Sequence, residues 1–136
     1  MTPEERDARA RELAAENADR RQREGREEGV SESVVTADGR EYTASSSDTP
    51  FPVQDPDVRD VIDRADPRAD WHGRCALPRA IEDAIVRDGL DLEDFRGASV
   101  GSAQIGPPGS RTHGRYVPPC DSCEPLFDEL DLRRAI

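Results

Sequence analysis

The stretch Cys75-Ala76-Leu77-Pro78-Arg79-Ala80-Ile81-Glu82-Asp83-Ala84-Ile85-Val86-Arg87-Asp88-Gly89 carries the clearest structural signal in the chain. Leu77, Ile81, Ala84 and Ile85 recur at the spacing of an amphipathic helix. Pro78 is tolerated only in a first turn, which sets the start near Cys75, and Gly89 supplies the stop. Such a helix needs an apolar surface beneath it. Ala98 to Ile105 provides one: it reads as a strand anchored by Val100 and Ile105, with small residues suited to close packing, and Gly106-Pro107-Pro108-Gly109 ends it.

Working outward, Asp55-Pro56 has the form of an N-cap followed by proline at the first helical position, and Val58, Val61 and Ile62 share one face of a short helix. The serine-rich run over 45–50 reads as a loop. Residues 30–46 read as a β-hairpin around Asp38-Gly39, with Val30, Val34 and Val35 before the turn and Tyr42 and Thr43 after it. Downstream, Ser110 to Tyr116 is a loop, and a last helix begins near Cys120, with Leu126, Phe127 and Leu130 apolar. Hairpin, helix, strand, helix predicts a small α/β domain over residues 30–136. Residues 1–29 read as a charged helical or disordered extension. Pairs such as Glu5–Arg9 and Glu16–Arg20 support an exposed helix, while Leu13 and scattered alanines make no stripe with which to grip a core.

The chain has 136 residues, 36% of them charged, with 30 acidic against 19 basic side chains and a net charge of −11. That length holds one small domain. The negative balance opposes general coating of a nucleic-acid backbone, which relies on cationic side chains displacing counterions. A small nucleotide or a single extruded base in a local pocket remains compatible. No apolar run is long enough to span a membrane, and the charged start, Met1 to Arg11, is unlike a secretory signal. These features place the protein in the cytoplasm.

Three cysteines, Cys75, Cys120 and Cys123, make poor material for a disulfide framework. Pro118-Pro119-Cys120-Asp121-Ser122-Cys123 opens one helix and Cys75 opens another. Two helices side by side on a sheet bring their N-terminal ends together, where free backbone N–H groups favour thiolates. Three sulfur ligands with a fourth position open is the layout of a hydrolytic zinc. The residues alone leave other readings open: a reduced dithiol, unrelated thiols, or a closed site with His72 or His113 as fourth ligand. His72 lies close before Cys75, and His113 sits in a loop from which it can face a substrate.

His72-Gly73-Arg74-Cys75-Ala76-Leu77-Pro78 together with Pro118-Pro119-Cys120-Asp121-Ser122-Cys123 resembles the zinc-dependent nucleoside and nucleic-acid deaminase superfamily, and most of all its YwqJ-like branch. The resemblance covers about residues 30–132 and is specific only in these two blocks. It implies a small three-layer deaminase-type core, Zn2+ held by Cys75, Cys120 and Cys123, and a substrate containing a nucleobase. His72 and His113, from their places beside the motif and in the loop, are the candidate substrate-binding residues. Members of this branch occur as toxin domains in bacterial conflict systems.

One departure bears on activity. Where the family places its proton-shuttling glutamate, two residues after the first ligand, this chain has Leu77, which carries no proton. Losing a positioned acid–base group costs on the order of 10²–10⁴ in rate. Glu82 lies two turns along the helix, about 10 Å away. Asp121 and Glu124 are nearer but match no family role. The sequence therefore supports two expectations: a hydrolytic deaminase domain, active or degenerate, and a non-catalytic zinc-binding interaction module. The tail after the last helix is too short for the extra strand and helix of longer deaminases, and leaves a sheet edge open for self-association.

Overall fold

The computed structural model describes residues 1–47 and 52–136; the predicted loop over 45–50 lies partly outside them. In chain order the elements are α1 (Pro3–Arg23), β1 (Val30–Val35), β2 (Glu41–Ser45), α2 (Pro56–Ile62), α3 (Ala76–Asp88), a 3-10 turn (Leu92–Phe95), β3 (Ser99–Gln104), α4 (Glu124–Leu130) and β4 (Arg133–Arg134). The strands form one mixed sheet in the order β2-β1-β3-β4. β1 is antiparallel to both β2 and β3, with Glu32 opposite Ala44 on one side and Ser102 on the other. β4 runs parallel to β3. Among the described residues no helix is long and apolar enough to cross a membrane.

Alternation along β1 sorts the two faces of the sheet. Ser31 and Val35 face α1, whereas Val34 enters the main core with Val100, Val58, Val61, Ile62, Leu77, Ile81, Leu126 and Leu130. That core lies between the sheet and α2, α3 and α4. With α1 on the opposite face, the domain has three layers, as expected for a small α/β fold. α3 ends at Gly89 in the left-handed conformation, φ 69°, and Asp55 caps α2 through the backbone N–H groups of Asp57 and Val58 at 3.0 and 3.1 Å.

Two expectations are corrected. First, residues 3–23 are not a solvated extension but one layer of the fold. Ala10, Ala14 and Ala18 are fully buried, and a Cβ built on Gly101 of β3 would stand 2.3 Å from the Ala10 carbonyl oxygen. The stripe exists, but it is made of alanine, whose small side chain brings the helix backbone down onto the sheet. A reading based on large apolar residues passes over it. Polar side chains complete the seam: Asn17 Nδ2 donates to Ser31 Oγ at 2.8 Å and Ser45 Oγ at 3.0 Å, and Asp7 pairs with Arg133 at 2.7 Å. Second, the short tail does form a strand. Arg133 N–H donates to the Ala98 carbonyl at 2.8 Å and Ala135 N–H to that of Val100 at 2.9 Å, so β4 covers one sheet edge for a few residues.

Candidate metal centre

Three sequence-distant cysteines meet where α3 and α4 begin. Cys75 is the N-cap residue of α3 and its side chain makes no capping bond, which leaves the sulfur available for other contacts. Cys123 is the N-cap residue of α4, and Cys120 lies just before it in a turn closed by the Cys123 N–H on the Cys120 carbonyl at 2.9 Å. The helix thus starts a few residues later than the sequence suggests. The segment leading into this turn is pinned to β3: Ser102 Oγ donates to the Val117 carbonyl at 2.7 Å and accepts its N–H at 2.9 Å.

Cys75 Sγ and Cys120 Sγ are 2.9 Å apart, Cys120 Sγ and Cys123 Sγ 3.3 Å, and all three sulfurs fall within 4.8 Å of one another. Cys120, between the other two, is the sulfur held as thiolate. Hydrogen bonds with Cys123 and then Cys75 pull it well below the ordinary thiol range, and the backbone amides of Cys123 and Ser122 add to this. Cys75 and Cys123 are pushed up, each first by its hydrogen bond to Cys120. The donor set suits a soft or borderline cation such as zinc. Tetrahedral zinc at ~2.3 Å from each sulfur needs them about 3.8 Å apart. The three sulfurs would hold such an ion by moving apart from their separations of 2.9 and 3.3 Å.

The histidines stand elsewhere. His72 Nδ1 lies 2.6 Å from Ser122 Oγ and its Nε2 lies 2.7 Å from Asp63 Oδ1. The ring joins the end of α2 to the turn between Cys120 and Cys123, with neither nitrogen left for the sulfur cluster. His113 Nδ1 accepts the Gly106 N–H at 3.0 Å and its Nε2 lies 2.8 Å from Asp19 Oδ1, which ties the loop after β3 to α1. Neither histidine belongs to the group of donors that can hold an ion. Nor does either line the cleft of about 420 Å³ into which Cys75 and Cys120 open.

The acids that the sequence brings forward are also committed elsewhere. Glu82 accepts the backbone N–H groups of Gln54 and Asp55 at 2.6 and 2.7 Å. Glu124 pairs with Arg134 at 2.7 Å. Asp121 is exposed and lines a neighbouring depression rather than the cleft. Leu77 is fully buried in the main core.

Two acids do line the cleft: Glu28, which is exposed, and Glu32, from the middle of β1. Only 9% of Glu32 is exposed. Burial first, and then the Cys120 thiolate, push its carboxyl up to about 8, against the Leu77 backbone amide, which works in the opposite direction. The signal for it lay in the alternation Val30, Glu32, Val34, an acid on the inward face of a strand.

No protein-family model, curated protein or solved structure matches this chain.

Proposed function

We propose that this domain binds zinc through Cys75, Cys120 and Cys123 and hydrolyses the exocyclic amine of a nucleobase. The observation that carries the reading is the convergence of the three sulfurs within 4.8 Å of one another, with Cys75 and Cys120 lining a cleft. Its support in sequence is the pair of motif blocks that resembles the deaminase superfamily, and its support in the fold is the hairpin, helix, strand, helix order that places both blocks at adjoining helix starts. The reaction consumes one water. A C–O bond forms, the exocyclic C–N bond breaks, and one water proton ends on the ring nitrogen and the other on the departing ammonia.

Zinc, when bound by three sulfurs with a position left open, supplies Lewis-acid activation of water. The chain supplies the enclosure. Val30, Val117 and Pro118 give the cleft apolar walls for a flat ring, and Trp71, half exposed at 50%, offers a stacking surface. Arg26 and Arg74 line the same cleft, with Glu28 and Glu32. Free thiols of this kind belong in a reducing compartment, the cytoplasm.

The test is metal analysis of protein purified without added zinc, together with ammonia release from cytidine, adenosine and short oligodeoxynucleotides of each base. About one zinc per chain and ammonia from at least one probe support the reading. Zinc without ammonia identifies the non-catalytic alternative, which the full burial of Leu77 favours. The domain is then an interaction module of the kind used in bacterial conflict systems, with an outer sheet edge available to a partner or a second copy. Absence of zinc sinks both.

A further inference from the structure

We propose that Glu32 is the acid–base residue of the cleft, its carboxylate delivered from strand β1 to a cleft that it lines with Cys75 and Cys120, while Leu77 of α3 is turned into the core. The inference rests on the deaminase reading above and names the group which that reading lacks.

Four observations carry it. Glu32 lines the same cleft as Cys75 and Cys120, none of the acids brought forward from the sequence does so, and Glu28, the other acid that lines it, is exposed. It stands outside the set of donors that lie within 4.8 Å of one another, which separates it from the ligands. The only described group that favours its charged form is the Leu77 backbone amide, so the fold gains no ion pair from it. Finally, it shares the inward face of β1 with Val34, in a fully formed core where an aliphatic residue would pack at lower cost. A buried carboxyl that lines a cleft is a candidate functional group with a stated physical rationale.

Replacing an amine by water requires a carrier that takes a proton from water and returns it to nitrogen. The Glu32 carboxylate accepts the first water proton and delivers it to the ring nitrogen as the C–O bond forms. It then takes the proton of the new hydroxyl and passes it to the amine as the C–N bond breaks. The carboxylate ends as it began, and ammonia leaves with the proton it needs.

The experiment compares wild type, Glu32→Gln and Glu32→Asp for three readouts. These are zinc per chain, ammonia release from the same nucleosides and oligonucleotides, and quenching of Trp71 fluorescence by each probe in zinc-loaded and zinc-free protein. Trp71 is the only tryptophan and it lines the cleft, so its emission reports binding independently of turnover. The expected result is that Glu32→Gln keeps about one zinc and binds within a few-fold of wild type, while ammonia release falls on the order of 10²–10⁴-fold. Glu32→Asp falls between the two. Wild-type rates in Glu32→Gln overturn the assignment and leave the deaminase reading standing. Loss of zinc or of probe binding in Glu32→Gln also overturns it, by making the residue a ligand or a structural support. A zinc-loaded wild type that releases no ammonia from any probe overturns the reading and this assignment with it.

Discussion

Ser122 Oγ stands 2.6 Å from His72 Nδ1 and accepts the Ala69 backbone N–H at 3.0 Å. One hydroxyl between the two cysteines of the turn thus joins it to the segment before Cys75, and the Ser122 backbone amide also favours the Cys120 thiolate. Groups that orient ligands in this way are worth about 10–100-fold in metal affinity. Ser122→Ala is therefore expected to weaken zinc binding by about that factor while the cysteines remain, as measured by competition with a chromophoric chelator. An unchanged affinity would show that the hydroxyl only ties loops together.

Metal removal tests the centre as part of the fold. Cys75 and Cys123 are buried, and they stand at the starts of α3 and α4. A cation that binds only the folded chain adds about 2.7 kcal/mol when present at 100 times its dissociation constant. Chelation is expected to lower the melting temperature of wild type and to leave that of Cys120→Ser little changed. Equal effects on both proteins would place the bound metal elsewhere.

Glu32 gives the zinc-free protein a pH dependence of defined sign. Its carboxyl stands at about 8 in the folded chain against an ordinary value of 4.5. Between these values the folded chain holds a proton that the unfolded chain has released, so stability falls as pH rises through this window and levels off above it. The slope is on the order of 1.4 kcal/mol per pH unit. Glu32→Gln removes this dependence. Its melting-temperature advantage over zinc-free wild type should widen from pH 5 to 8, and a constant gap would mean that the carboxyl is not buried in the free protein.

Gly101 measures how closely α1 lies on the sheet. An added Cβ would meet the Ala10 carbonyl oxygen at 2.3 Å and the Arg11 nitrogen at 2.7 Å, both backbone atoms that move only with the helix. Gly101→Ala is expected to cost ~1–3 kcal/mol by overpacking, read from denaturant unfolding. If the substitution is neutral, α1 is a loosely held appendage after all.

The hairpin, the helix from Ala76 to Asp88 and the strand from Ser99 to Gln104 could be read from sequence because their information is local. The Asp38-Gly39 turn, the Pro78 and Gly89 boundaries and the spacing of Leu77, Ile81 and Ala84 each act within a few residues. The cysteines could be read for the same reason, since two of them open helices. The role of α1 could not. Ala10, Ala14 and Ala18 give little hydrophobic signal, and their value depends on what the fold sets against them, Gly101 at Ala10 and Ala103 with Ile105 at Ala14 and Ala18. β4 was equally hidden, because two residues make a strand only when β3 already offers them an edge.

The sequence by itself determined the hairpin, the helix from Ala76 to Asp88 and the strand from Ser99 to Gln104, and that the thiols lie near helix starts. These follow from turn chemistry and periodicity, which act over short stretches of chain. Only the tertiary structure decided that a buried acid, Glu32, lines the same cleft as Cys75 and Cys120. Glu32 and Leu77 belong to different elements, and the approach of the Glu32 carboxyl to the Leu77 backbone amide is set by how a strand is registered under a helix, a distance in space that no sequence separation encodes.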